Sequence, residues 1–275
     1  MTPSRYNLGL IGYPLERSLS PQIHHAALRL SGLEGEYRLF PVAPLPEGKP
    51  DLERMIQRLR LGDMQGLNVT IPHKQNILPY LDELAPAARA VGAANTLVLE
   101  NGRLTGDNTD IPGFTVDLHR QFPAASGKAL VLGAGGSARA VVYALLQSGW
   151  SVVVAARRLE QAAAFLPTAQ AVLLDVPSLA DLQDVRLVVN TTPVGMFPHP
   201  DASPWPSGVP LPPGVAVYDL IYKPLETLLL RQARQAGLAA VNGLGMLVEQ
   251  AALSFERWTG ARVDRSALWA EISPS

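Results

Sequence analysis

The segment NVTIPHK (68–74) is a β-branched run closed by Pro72, His73 and Lys74. The chain has four lysines against nineteen arginines, so a lysine at a strand exit is a scarce residue in an unusual place. Lysine can serve as a general acid or base toward a reacting oxygen. Thirty-six residues on, GDNTD (106–110) ends in Asp110, a carboxylate able to pair with such a cation and orient it. Small polar residues accompany the two at other strand ends. Ser18 and Ser20 flank Leu19, so in an extended loop both hydroxyls face one side. Asn68 and Thr70 share one face of the NVT strand, and Asn95 and Thr96 open a further strand. Each also has a structural reading: Ser20 as a helix cap, Asn95 as a turn residue, Asp110 as cap of a helix from Ile111. Together they suit a small polyhydroxylated ligand that needs many neutral hydrogen-bonding partners.

A second feature points to a nucleotide. GAGGSA (133–138) satisfies G-x-G-x-x-A, with Gly133, Gly135 and Ala138 at the three positions. It follows the apolar strand ALVL and opens a helix, which is the context a dinucleotide-binding loop requires. Gly133 permits the tight turn, Gly135 lets backbone approach a pyrophosphate, and Ala138 allows close helix–strand packing. NAD-binding versions place an acid near the end of the next strand. Here VVVAA runs into Arg157-Arg158, with no acid until Glu160. Two guanidiniums suit an adenosine 2′-phosphate, so NADP is favoured over NAD. NTTPVGM (190–196) follows another apolar strand, and its Thr191 and Thr192 are placed to border the nicotinamide.

Composition narrows the remaining possibilities. Zero cysteines exclude disulfides and cysteine chemistry. The five histidines (24, 25, 73, 119 and 199) have no metal-ligand spacing, so no metal is expected. A net charge of −1 leaves no footprint for nucleic acid or an anionic membrane. Apolar runs are too short to span a bilayer, and MTPSRYNLGL has no signal-peptide character, so a cytoplasmic protein is expected.

These residues need a scaffold of alternating strands and helices, which predicts a mostly parallel α/β architecture. The pattern reads strand 6–12, helix from Ser20 to Gly32, strand EYRLFPVA, helix LERMIQRLRL and strand GLNVTIP. A helix is expected to begin near Lys74, which would set its ammonium at the unfavourable end of a helix dipole. AANTLVLENGRLTGDNTD reads as a hairpin turning at Asn101-Gly102. After a helix from about Ile111 to Gln121, FPAASG resembles an interdomain joint, and a more regular strand–helix pattern restarts. That pattern includes a helix LEQAAAFL (159–166), and residues 198–214, with seven prolines, are expected to be an irregular surface excursion. GMLVEQAALSFERW closes the pattern as an amphipathic helix ended by Gly260.

The ordered set GYPLERSLSP, GLNVTIPHK, GAANT, GDNTD, GAGGSARA, NTTPVGM, DLIYKP and NGLGMLVEQAA resembles the shikimate dehydrogenase family over nearly the whole chain. The resemblance implies reversible reduction of 3-dehydroshikimate to shikimate with NADPH, in the pathway to aromatic amino acids. It implies two α/β domains with a cleft between them. Residues 1–103, completed by the helices of 243–275, would form the substrate domain, and 104–242 a Rossmann-like NADP domain. Lys74 and Asp110 match the family's catalytic pair. Ser18, Ser20 and Tyr222 would bind the shikimate carboxylate, and Thr70, Asn95, Asp110 and Gln250 the ring hydroxyls and reacting oxygen. On the cofactor side the matching positions are Gly133, Ala134, Gly135, Gly136 and Ser137, then Ala156, Arg157 and Arg158, with Leu220 and Gly243. The chain departs from the family where Ala156-Arg157-Arg158 stands for the usual Asn-Arg-Thr, where Arg17 replaces a histidine, and where Pro86 occupies an often acidic position. A quinate/shikimate dehydrogenase, a folate-type methylene dehydrogenase or a non-catalytic ligand sensor could share the architecture. The active species would be a monomer or a homodimer.

Overall fold

The computed structural model describes residues 5–163, 170–175, 179, 182 and 184–272. By its internal contacts the chain divides into two compact units, residues 1–113 with 248–275, and residues 114–247. Segments 104–113 and 243–247 thus fall on the other side of the boundaries expected from sequence. Both boundaries lie inside helices, α4 (Asp110–Gln121) and α8 (Leu244–Thr259).

The first unit is built on a six-stranded sheet of β1 (Tyr6–Gly12), β2 (Gly35–Pro41), β3 (Gly66–Val69), β4 (Glu83–Leu84), β5 (Thr96–Glu100) and β6 (Arg103–Asp107). Their spatial order is β2-β1-β3-β5-β6-β4. Three of its five pairings are parallel, and the antiparallel ones flank β5. The β5–β6 hairpin turns through Asn101 and Gly102 at φ 51° and 76°, the two positive values that a two-residue turn of this hand needs. Helices α1 (Ser20–Leu30), α2 (Lys49–Arg60) and α3 (Pro86–Val91), with α9 (Arg265–Ile272), complete the unit. Its core joins Leu52, Ile56 and Leu59 of α2 to Ile11, Leu67 and Leu97 of the sheet. α8 closes on the same sheet, where the Trp258 ring lies 2.3 Å from where a Gly66 Cβ would stand. Only glycine lets the ring and strand approach so closely.

The second unit carries β7 (Lys128–Leu132), β8 (Ser151–Ala156), β9 (Gln170–Leu173), β10 (Val185–Asn190), β11 (Ala216–Asp219) and β12 (Ala240–Asn242). Their order is β12-β11-β10-β7-β8-β9, and every pairing is parallel. Strands such as KALVL and SVVVAA are buried along nearly their whole length, as a sheet covered on both faces demands. α5 (Gly136–Gln147), α6 (Leu159–Ala163) and α7 (Leu228–Gln235) are its other helices. The remainder of the expected 159–166 helix lies outside the described residues. The proline-rich stretch has neither helix nor strand, yet it buries Trp205 in the core with Leu130, Val188 and Val217. It is anchored by that ring rather than being a pure surface excursion.

Three local expectations are corrected. No α-helix begins at Lys74, because residues 74–77 form turns leading into a short 3-10 helix at Leu78–Tyr80. Lys74 is therefore not the first residue of a helix, and its ammonium instead meets Asp110, the first residue of α4. Ser20 does not cap α1 but begins it, and its N–H donates to Ser18 Oγ at 3.2 Å. Asp110 does not precede α4 but begins it, and its carboxylate oxygens bond Lys74 and Asn95. Elements β4, α3 and β9 were not expected from sequence, and α9 was expected only as one of the helices of 243–275. They are short or weakly patterned, so tertiary contacts rather than periodicity determine them.

His24 on α1 is fully buried, its ring stacked on Tyr37 at 4.1 Å and 5° and lying 5.3 Å from Trp258. Burial holds its pKa down to about 3, so the ring is neutral in the folded protein. Below the ordinary histidine value of 6.5 the unfolded chain takes up a proton that the folded chain refuses, so stability falls with pH between 6.5 and about 3. We expect His24→Phe, which keeps the stack, to lessen this loss by on the order of 1 kcal/mol per pH unit below about 6. Urea unfolding of both proteins at pH 7, 5.5 and 4.5 measures it. Parallel acid limbs would remove His24 as the cause.

Candidate active site

Parallel strands send their carboxyl ends to one edge of a sheet, and the loops leaving those ends carry the polar residues noted above. In the first unit, β1 and β3 are parallel neighbours, and their exits stay joined where Thr70 and Tyr13 donate N–H bonds to the Ile11 and Ile71 carbonyls at 2.9 Å each. The loop after β1 holds Ser18 and leads into α1 at Ser20, and the two hydroxyls bond each other at 3.1 Å. Thr70, the last residue before the turn to Lys74, packs its methyl group against Gly12.

The turn after β3 is pinned on both sides of Lys74. The buried His73 ring bonds the Val42 carbonyl at 2.8 Å, and the His73 backbone N–H donates to the Thr70 carbonyl. The Lys74 carbonyl accepts the Ala94 N–H at 2.8 Å. His73 therefore points away from the lysine side chain. Lys74 Nζ donates to Asp110 Oδ2 at 2.7 Å, with side-chain exposures of 12% and 6%. The other carboxylate oxygen accepts from Asn95 Nδ2 at 2.9 Å, and the same amide reaches Gln250 Oε1 at 3.4 Å. Lys74, Asp110, Asn95 and Gln250 thus meet from four separate segments.

The orientation of the Asn95 amide follows from its backbone neighbour. Its Oδ1 accepts the Thr109 N–H at 2.8 Å, and an N–H can only donate, so the NH₂ group must face Asp110. Behind it lies a buried hydroxyl cluster that sequence reasoning did not assemble. Ser254 Oγ lies 2.7 Å from Thr96 Oγ1 and 3.0 Å from Thr109 Oγ1, accepts from Asn68 Nδ2 and donates to the Gln250 carbonyl. Asn68 Oδ1 accepts the Tyr37 hydroxyl at 2.8 Å. Asn68 and Thr96 stand out in sequence by their strand positions. Ser254 carries no local signal, since its partner Thr96 is 158 residues away.

In the second unit the glycine loop leaves β7 at the point where the strand order reverses between β7 and β10, the usual place for a nucleotide in such a sheet. Gly133 has φ +108°, and a Cβ there would meet Thr191 Oγ1 at 2.8 Å and the Thr192 methyl at 2.9 Å. Nothing lies within 4 Å of where a Gly135 Cβ would stand, so backbone at the start of α5 is open to a phosphate. Ala138 is fully buried against the sheet. Ala134, Gly136 and Ser137 complete the loop, the last two beginning α5. The Gly133 N–H donates to the Ala155 carbonyl at 2.8 Å, which sets the end of β8 beside the loop. Ala156 is buried there, and Arg157 and Arg158 are exposed just beyond it. The donor set fits a dinucleotide with a further phosphate: an open helix N-terminus for the pyrophosphate and two arginines one strand away.

Thr191 is held by its hydroxyl on the Leu132 carbonyl at 2.7 Å. The Leu220 N–H donates to the Asn190 carbonyl at 3.0 Å, and a Cβ on Gly243 would stand 2.1 Å from the Leu220 carbonyl. Thr191, Leu220 and Gly243 therefore line up along the ends of β10, β11 and β12. Tyr222 follows β11 in this same unit. Asn190, Asp219 and Thr227, all fully buried, tie these loops together and were missed in sequence, where they read as ordinary strand-end and cap residues. Among the described residues no group of three or more acids and histidines is placed to hold a metal.

The chain resembles known proteins over most of its length. Residues 10–97 match the model of the shikimate dehydrogenase substrate binding domain, and residues 243–272 that of the shikimate 5′-dehydrogenase C-terminal domain. A shikimate dehydrogenase (NADP(+)) of Symbiobacterium thermophilum is 43% identical over 267 residues, covering 93% of this chain and 89% of that protein. A crystal structure of a shikimate dehydrogenase in complex with NADP+ superposes with a TM-score of 0.87 at 35% identity, over 99% of this chain and 96% of that one. The enzyme of Thermus thermophilus, in complex with NADP(H) and shikimate, gives 0.83 at 38% identity, over 97% and 98%. At these identities and coverages, with both domain models matched, the chain belongs to the shikimate dehydrogenase family.

Proposed function

We propose that the protein catalyses the reversible NADPH-dependent reduction of 3-dehydroshikimate to shikimate, on the route to chorismate and the aromatic amino acids. The observation that carries this reading is the Lys74–Asp110 pair at 2.7 Å, with Asn95 bonded to Asp110 and Gln250 of α8 reached by the same Asn95 amide. NADPH, when bound, supplies the hydride that reaches C3 of the substrate. Lys74 delivers the proton to the C3 oxygen, and its positive charge stabilises the alkoxide as it develops. Asp110 fixes the ammonium in place and is itself fixed by Asn95. In the oxidative direction the same groups take the proton back.

The first unit holds the substrate: Ser18 and Ser20 for the carboxylate, and Thr70, Asn95, Asp110 and Gln250 for the ring hydroxyls. The second holds the dinucleotide, with the 133–137 loop on the pyrophosphate, Arg157 and Arg158 on the 2′-phosphate, and Thr191, Leu220 and Gly243 toward the nicotinamide. Both short neutral positions flanking the family's arginine are altered here, and the second guanidinium replaces a neutral contact with a charged one. The protein acts in the cytoplasm as a monomer or homodimer. Its ligands are small molecules, the substrate and the dinucleotide; among the described residues no helix is long and apolar enough to cross a membrane.

Absorbance at the NADPH band, with shikimate and NADP as substrates and quinate and NAD as comparisons, tests the reading directly. We expect Lys74→Ala to lower kcat by about 10²-fold or more, with a much smaller change in KM for shikimate. Near-normal kcat in that variant would take the proton-carrying role from Lys74. Arg157→Ala should raise the KM for NADPH about tenfold while leaving that for NADH unaltered, the size expected for a lost hydrogen bond to a charged group. An unchanged NADPH KM would refute the 2′-phosphate contact.

A further inference from the structure

At the end of β11, Asp219 is fully buried and, among the described residues, forms no ion pair. Its carboxylate instead receives three hydrogen bonds from three directions. Oδ1 accepts Asn190 Nδ2 from the end of β10 at 2.9 Å and the Ile221 N–H of its own following loop at 3.0 Å. Oδ2 accepts the Thr227 hydroxyl at 2.6 Å, and Thr227 in turn caps α7 by accepting the Leu230 N–H. Asn190 passes the restraint on, because its Oδ1 accepts both the Thr192 N–H and the Thr192 hydroxyl at 2.9 and 2.8 Å. Thr192 Oγ1 accepts the Val194 N–H. The Ile221 carbonyl accepts the Gly243 N–H at 3.2 Å. One carboxylate therefore holds the loops that bear Thr191, Leu220 and Gly243, the whole nicotinamide side of the proposed cofactor site.

We propose that Asp219 is the positioning residue of that side, and that its ionised carboxylate, rather than merely its shape, is what keeps the three loops in the arrangement that binds NADP. This rests on the cofactor reading given above. An ionised carboxylate is an acceptor at every lone pair, which matches three donors. A protonated one brings an O–H into a shell of donors. Oδ1 already faces two N–H groups, so the proton must go to Oδ2, where Thr227 has to stop donating to it. The groups facing Asp219 from β10, from its own loop and from α7 are an amide, a backbone N–H and a hydroxyl, and none of them titrates near neutrality. Burial raises the Asp219 pKa to about 6 against the lowering effect of the three hydrogen bonds.

Calorimetric titration with NADP+ in steps from pH 5 to pH 8, with variants compared at about pH 7.5 and 5.5, tests this without turnover. The 2′-phosphate titrates near pH 6 as well, but identically for every protein, so only ratios between proteins are read. At pH 7.5 we expect Asp219→Asn to weaken NADP+ about tenfold, because an amide N–H replaces an acceptor among donors. At pH 5.5 the ratio to wild type should shrink by about three- to fourfold, since most wild-type molecules have already lost the ionised form. A second variant, Thr227→Val, removes a bond that favours ionisation and should move the wild-type inflection of affinity to higher pH. Equal affinities at pH 7.5, a ratio independent of pH, or an unmoved inflection would each overturn the proposal alone. Wild type that fails to bind NADP+ at pH 7.5 would overturn the cofactor reading, and the proposal with it.

Discussion

Everything in the first unit's site depends on keeping two charges out of water. With side-chain exposures of 12% and 6%, Lys74 and Asp110 form a largely buried ion pair, and such a pair persists only if the remaining lone pairs and protons find partners. Losing one partner of a buried pair typically costs about 3–5 kcal/mol, because the other is left uncompensated. That requirement propagates outward. Asp110 needs Asn95, Asn95 needs the Thr109 N–H to settle which way its amide faces, and the hydroxyls of Thr96, Thr109 and Ser254 fill the next layer. The result is a rigid polar wedge set among apolar strands, in which a ligand's hydroxyls would meet partners whose directions are already determined.

The second unit solves a different problem with the same economy of contacts. A parallel sheet buried on both faces leaves only its strand ends for polar chemistry, and its strands send their carboxyl ends to one edge. Loops alone are not rigid. Gly133, at a backbone angle that side chains avoid, allows the loop after β7 to touch Thr191 and Thr192 directly. The buried Asn190–Asp219–Thr227 chain then bonds neighbouring loops to each other and to α7. The strand ends are thereby coupled by a few short polar bonds instead of by a hydrophobic layer.

How much of this is legible in the sequence follows the reach of each signal. The glycine loop, the paired arginines, the Asn101-Gly102 turn and the strand alternation are local, and each appears at the residues where it is expected. Lys74 and Asp110 are 36 residues apart, yet each ends a recognisable strand-exit motif, and their pairing can be anticipated. The helix expected at Lys74 does not form, because Pro72 and the His73–Val42 bond commit the chain to turns. Ser20 reads as a cap in sequence but is not one, because Ser18, two residues earlier, takes its N–H. Ser254 and Asp219 are invisible for another reason: their importance lies wholly in partners from distant elements, and an amphipathic helix or a strand end looks the same without them.

The first unit is discontinuous in the chain, and this bears on the order in which the molecule can be assembled during synthesis. Its sheet is translated first, but its contacts reach forward to α8, among them Trp258 Nε1 to the Leu97 carbonyl, Arg257 to Glu100 and Ser254 to Thr96. The second unit is one uninterrupted stretch, 114–247, and has all its strands before α8 is complete. Domains generally fold as units while the chain emerges. The nucleotide-binding unit can therefore close while the earlier-made sheet still lacks the helix that covers Gly66 and satisfies Asn68 and Thr96. Until α8 emerges, a nascent chain exposes that sheet face, and chaperone contact or proteolytic nicking should concentrate on the N-terminal strands.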